Sequence, residues 1–157
     1  MTWVKIRLEQ QSKARQRRER MVSLTPPLWK GLCEALKDSI TEYYDDKKYG
    51  RFEPNEKNHH VFCVRYLEDT PNRNTEIKKV TIVLDATKAT VTAEYDGQVK
   101  PARVLKLDSK NGDVSLVDEK GTEFDSERAA AYFLDPFLFP DLDGEPIPTD
   151  PGMIEPW

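Results

Sequence analysis

Residues 25–46 read TPPLWKGLCEALKDSITEYYDD, and the placing of every other element depends on how this stretch is read. Thr25 is of the type that caps the unpaired amides of a first helical turn, and Pro26 and Pro27 suit positions where a missing N–H costs little. Trp29, Leu32, Cys33, Leu36, Ile40, Tyr43 and Tyr44 recur at spacings of three and four, opposite Lys30, Glu34, Lys37, Asp38 and Glu42. That periodicity predicts one long amphipathic helix with a single apolar stripe, which must be buried against another layer.

Upstream, Val4, Ile6 and Leu8 alternate with Lys5 and Arg7, which predicts a short edge strand with charges facing water. Between Glu9 and Arg20 only Ala14 is apolar, so this segment predicts either a solvated helix or a mobile arm. Downstream, Lys47–Asn58 carries Gly50, Pro54 and many charges and reads as a loop. Val61–Leu67 (VFCVRYL) is apolar on both faces except at Arg65 and reads as a central strand, followed by a polar loop EDTPNRNTEI.

The next segments read as hairpins. A four-residue loop at 85–88 would set Leu84 against Ala89, Ile82 against Val91 and Val80 against Ala93, with Lys79 opposite Glu94 on the other face. Asn111 and Gly112 fit a two-residue turn that pairs Leu107 with Leu116 and Lys110 with Asp113. Thr122–Phe124 adds a last short strand. Asp125 or Ser126 then caps a short helix, ERAAAYFLD, expected to end near Pro136. The stretch PARVLKLDSKNGDVSLVDEKGTEF, residues 101–124, resembles the strand and turn pattern of small SH3-like and Tudor-like barrels. It lacks their ligand-binding aromatic cage, and the resemblance implies no function.

These elements predict an α+β fold: a long amphipathic helix packed on a mainly antiparallel, five- to six-stranded meander, with a short C-terminal helix. Three parts are expected, namely a basic N-terminal strand or arm (1–20), a single α+β domain (21–135) and an acidic, proline-rich tail (136–157). At 157 residues, 38% hydrophobic and 33% charged, the chain is long enough for one real core. Cys33 and Cys63 read as small buried hydrophobes in a reducing compartment, and nowhere do eighteen apolar residues run together. The expected location is therefore the cytoplasm, with no membrane contact.

The net charge of −4 conceals two opposite ends. Residues 5–20 hold seven cations against two anions, a net of +5, whereas residues 135–157 hold six carboxylates and no Lys or Arg. Lys13, Arg15, Arg17, Arg18 and Arg20 are therefore candidate contacts to nucleic acid phosphates or to a protein partner. No aromatics are interleaved with them, which weakens a reading based on stacking single-stranded bases. Phe137, Leu138 and Phe139 form an apolar triplet at the start of the tail and are the candidate protein-interaction patch, packed either on the sheet or on a partner.

Enzymatic signatures are absent: there is no glycine-rich phosphate loop, no G-x-S-x-G elbow and no H-E-x-x-H. His59, His60 and Cys63 are ligand types for zinc, but on a strand only His59 and Cys63 share a side, about 13 Å apart, too far for one tetrahedral ion. No catalytic residue, metal or cofactor is assigned. Tyr43, Tyr44, Tyr49 and Phe52 lie near the predicted end of the long helix, as core residues or as the lining of a pocket. The leading expectation is a non-enzymatic intracellular protein-interaction or structural module that meets a protein partner or associates with itself. The alternatives are a nucleic-acid-binding protein that uses residues 13–20, and a small-molecule-binding protein or enzyme with a pocket at the end of the long helix.

Overall fold

Residues 3–44 form a single helix, α1 (Trp3–Tyr44), in a computed structural model that describes residues 2–44, 50–70, 73–110, 113–142 and 144–147. This corrects the expected strand at Val4–Leu8 and the expected helix start at Thr25. Residues 9–21, EQQSKARQRRERM, are nearly all strong helix formers, and extending an existing helix is much easier than starting one. Five alternating residues could not compete with that. Thr2 closes the N-terminus, with Lys5 N donating to its Oγ1 at 3.4 Å and Ile6 N to its carbonyl at 3.3 Å.

Pro26 and Pro27 thus lie inside α1 and not in its first turn. They remove the N–H groups that would bond the carbonyls of Val22 and Ser23, but both residues are exposed and water can serve those carbonyls. Thr25, itself buried, turns its hydroxyl back onto the Met21 carbonyl instead of capping. Beyond it the predicted stripe is buried from Trp29 to Ile40, with Trp29 at 4% exposure and Leu32 and Leu36 at 0%, while Tyr43 is half-buried.

The sheet is an antiparallel meander of seven strands in chain order, not five or six: β1 (Gly50–Asn58), β2 (Val61–Thr70), β3 (Arg73–Asp85), β4 (Thr90–Asp96), β5 (Arg103–Lys110), β6 (Asp113–Val117) and β7 (Glu123–Phe124). The additional strand is β1, where a loop was expected. Its charges and Pro54 suit an edge, because an edge strand has one side that pairs with nothing and can do without an N–H. Likewise the polar stretch after Leu67 is not all loop, since β2 and β3 stay paired out to Thr70 and Arg73. β2 pairs on both sides, as its two-faced apolar pattern implies.

The β3–β4 hairpin keeps the predicted faces but slips by two residues. Leu84 faces Val91, Ile82 faces Ala93 and Val80 faces Tyr95, because the Asp85 carboxylate accepts from Thr87 N (3.0 Å) and Lys88 N (3.1 Å) and Ala89 takes φ 54° in the turn. An even slip leaves every side chain on its own face. On the outer face Lys79 then meets Asp96, not Glu94, with Nζ 4.0 Å from Oδ2. The β5–β6 ribbon has the predicted pairing, Leu107 with Leu116 and Lys110 with Asp113, while Asn111 and Gly112 lie outside the described residues. The stretch resembling a small barrel supplies the last three strands of this one sheet and is not a barrel of its own.

The inner face of the sheet, α1 from Trp29 to Ile40 and the second helix, α2 (Ser126–Leu138), share one core that includes Phe62, Val80, Ile82 and Leu105. Asp125 caps α2, its Oδ1 accepting from Arg128 N at 2.7 Å. The helix passes through Pro136 instead of ending before it. Pro136 leaves the Tyr132 carbonyl without its helical donor, and Arg103 Nη1 takes that place at 2.8 Å. Three further side chains fasten the same end of α2 to the sheet side. The Tyr95 hydroxyl donates to Phe133 O (2.6 Å), Gln98 Nε2 to Pro136 O (3.2 Å) and Lys78 Nζ to Phe137 O.

Candidate functional site

Two features face solvent with chemistry that the core does not use. The first is the N-terminal part of α1. Every residue from Thr2 to Arg20 is exposed, so residues 3–20 project as a helical arm of about 27 Å at 1.5 Å per residue. Lys13, Arg15, Arg17, Arg18 and Arg20 all lie on this arm and make no ion pair among the described residues. Lys13, Arg17 and Arg20 share one side at helical spacing, with Arg15 and Arg18 on another. The tip is apolar: Trp3 is 75% exposed and Leu8 58%, with Val4 and Ile6 also exposed. As a strand these residues would have been half-covered at a sheet edge; as a helix that no described residue covers they are open.

The second feature is an open groove of about 1180 Å³ at the far end of α1. Aromatic rings line it on one side: Phe52 sits 5.0 Å from Tyr43 and 4.8 Å from Tyr66 between centroids. Leu138, Phe139, Leu142 and Ile147 contribute further apolar lining. Glu42, Asp135, Asp141 and Glu145 line it as well, and Lys78 is the single cation among its described lining residues. Lys78 is committed to the fold, its ammonium donating to Phe137 O and lying 4.8 Å above the Phe137 ring. The groove therefore has the chemistry to hold an apolar ligand that carries positive charge.

The predicted triplet is divided by this arrangement. Phe137 and Leu138 belong to the chain's own core, since α2 carries them inward in its last turn. Phe139 caps α2, is 42% exposed and meets Tyr43 edge to face at 5.2 Å. Of the aromatics expected near the end of α1, Tyr43 and Phe52 do line the groove, whereas the Tyr44 side chain and Tyr49 lie outside the described residues. Also outside them are Asp143 and residues 148–157 of the acidic tail. Sequence reasoning missed Tyr66, Lys78, Leu142 and Ile147 as groove residues. Tyr66 sits on the inner face of β2 directly opposite Phe52, so the β1–β2 pairing would have revealed it, but β1 was read as a loop.

His59 and His60 sit at the β1–β2 turn with ring centroids 6.4 Å apart, and Cys63 is buried in β2. Among the described residues no group of three or more His, Cys, Asp or Glu is placed to hold a metal ion, and no helix is long and apolar enough to cross a membrane. Burial raises the Cys33 thiol from its ordinary 9.0 to about 12, with the Glu56 charge adding to the effect, so it is neither a ready nucleophile nor a ready metal ligand. No protein family, no curated protein and no solved structure matches this chain.

Proposed function

We propose that this protein is a non-enzymatic interaction module of the cytoplasm that engages a protein partner through the helical arm 3–20. The observation that carries this reading is the apolar tip, Trp3, Val4, Ile6 and Leu8, held out on a charged helix and exposed among the described residues. Burying one such side chain contributes about 1.5–3 kcal/mol, so either pair that shares a side of the helix, Trp3 with Ile6 or Val4 with Leu8, favours a partner surface. The two buried, unpaired cysteines support a reducing compartment.

Nucleic acid is the second reading, favoured by the five exposed cations at residues 13–20, which have no ion pair among the described residues. One experiment separates the two. A photo-crosslinking residue is placed at Leu8 or at Arg15 in the full chain, and the adducts formed in native cell extract are digested with protease or with nuclease. Protease-sensitive adducts at Leu8 are expected. Nuclease-sensitive adducts at Arg15, lost when Arg15, Arg17, Arg18 and Arg20 become Gln, would replace the protein reading with the nucleic-acid one. No adduct at either position overturns both.

A further inference from the structure

The arm and the groove have matching chemistry, but one chain cannot bring its own pair together. Leu8 and Glu42 stand on the same helix, 34 residues and about 51 Å apart along its axis. While α1 is intact, the arm that fills the groove must come from another molecule. We infer that this molecule is a second copy of the chain, and that two copies pair α1 against α1 in antiparallel, each placing its arm along the other's acidic helix face and its apolar tip in the other's groove. This rests on the reading of the arm as a protein-contact element and supplies its partner.

Three observations converge on that arrangement. The solvent face of α1 next to the groove carries Glu34, Asp38 and Glu42 at intervals of four, all exposed and without an ion pair among the described residues. Setting residue 8 of one helix beside residue 42 of the other brings Lys13 and Arg17 within one residue of Asp38 and Glu34. Two pairs of opposite charge thus face each other across the contact. In the same register Trp3 and Val4 run past the end of the other copy's α1, over the groove where Phe139, Leu142 and Ile147 are exposed. Finally, the pairing is its own inverse: residue 42 of the first copy also lies beside residue 8 of the second. The assembly therefore closes as a two-fold dimer and does not run on as a filament. The axis crosses α1 near residue 25, where Val22 and Leu24 are exposed and a smaller hollow of about 600 Å³ opens beside Leu24, Pro27 and Phe124.

The test uses purified full-length chain and light scattering across a wide dilution series. The wild type is expected at twice the 18.2 kDa chain mass, dissociating on dilution and more readily at high salt. One variant reverses the arm (Lys13→Glu, Arg17→Glu), and another reverses the face (Glu34→Lys, Asp38→Lys). Each alone should be monomeric and should melt as the wild type does at high dilution, and an equal mixture should recover the doubled mass, because both contacts are then complementary. A wild type that is monomeric throughout, variants that stay dimeric, or a mixture that stays monomeric would each overturn the inference. If the purified chain is monomeric while its arm still crosslinks to protein in extract, the dimer falls and the interaction reading stands. If it is monomeric and the arm crosslinks to nothing, both fall.

Discussion

Replacing Arg103 with Met should destabilise the fold by about 2–4 kcal/mol, and the cost should depend on the residue at position 136. Pro136 has no N–H, so the Tyr132 carbonyl receives nothing from its own helix and depends on Arg103 Nη1 at 2.8 Å. A hydrogen bond from a charged group contributes about 1.5–3 kcal/mol, and the same guanidinium lies 4.8 Å over the Tyr132 ring, worth about 0.5–1 kcal/mol more at a partly exposed site. Met keeps much of the aliphatic stem, so lost packing is a small part of the change. In a Pro136→Ala background the restored N–H can donate to Tyr132 O, and Arg103→Met should then cost only about 1 kcal/mol. Urea titration of the wild type, the two single variants and the double variant gives the four free energies of a cycle. A cost of Arg103→Met that is the same in both backgrounds, within the roughly 0.5 kcal/mol expected of independent sites, would refute the assignment of this guanidinium to the carbonyl that Pro136 orphans.

Pro26→Ala and Pro27→Ala should each strengthen α1, by up to about 3 kcal/mol, since alanine restores the N–H groups facing the carbonyls of Val22 and Ser23. Slower amide exchange on both sides of residue 25 is the readout, and exchange that is unchanged or faster would mean the chain does not run helical through the proline pair. Cys33 makes stability depend on alkali: its folded pKa lies above the ordinary 9.0, so the neutral thiol favours the fold fully below pH 9 and that contribution is lost as pH rises towards about 12. Tyr95, whose hydroxyl is also pushed up by burial, adds to the same decline. A Cys33→Ala variant should lose the thiol's share of the slope above pH 9; an identical slope would show that the thiol titrates alike in both states.

The elements legible in the sequence are those whose evidence is local and redundant. The burial of Trp29, Leu32 and Leu36 follows from one periodicity that no alternative register satisfies, and the β5–β6 pairing from alternation on both sides of an Asn-Gly turn. The β3–β4 hairpin was half legible. Alternation fixed the faces, but it is indifferent to a slip of two, and the decision fell to the Asp85 carboxylate gathering two amides in the turn. β1 was illegible for a physical reason, since the composition that blunts an exposed sheet edge is the same composition that makes a loop. Only its pairing with β2 distinguishes the two, and pairing is not a local property.

Proline misled the reading twice, and the same cause explains both cases. A proline ends a helix when the carbonyl it orphans has no other donor, which is what a local reading must assume. At Pro136 the substitute donor comes from Arg103, a strand residue 33 positions earlier, and at Pro26 and Pro27 it can be solvent beside Val22 and Ser23. Those two continuations decide where the candidate site lies. Because α2 runs on past Pro136, Phe137 turns inward, Leu138 is buried at the groove wall and Phe139 alone of the three is exposed there. Because α1 runs on through Thr25, the basic segment and the apolar tip share one rigid axis with the acidic face of residues 34–42, which is what keeps an arm from folding back on its own groove. If the helix broke at the prolines, the arm could swing on that joint and reach its own chain, and monomers would be the expected product. The oligomeric state and the amide exchange across residue 25 are therefore linked, and a monomer whose amides flanking the proline pair also exchange rapidly would trace the failure of the dimer to those prolines.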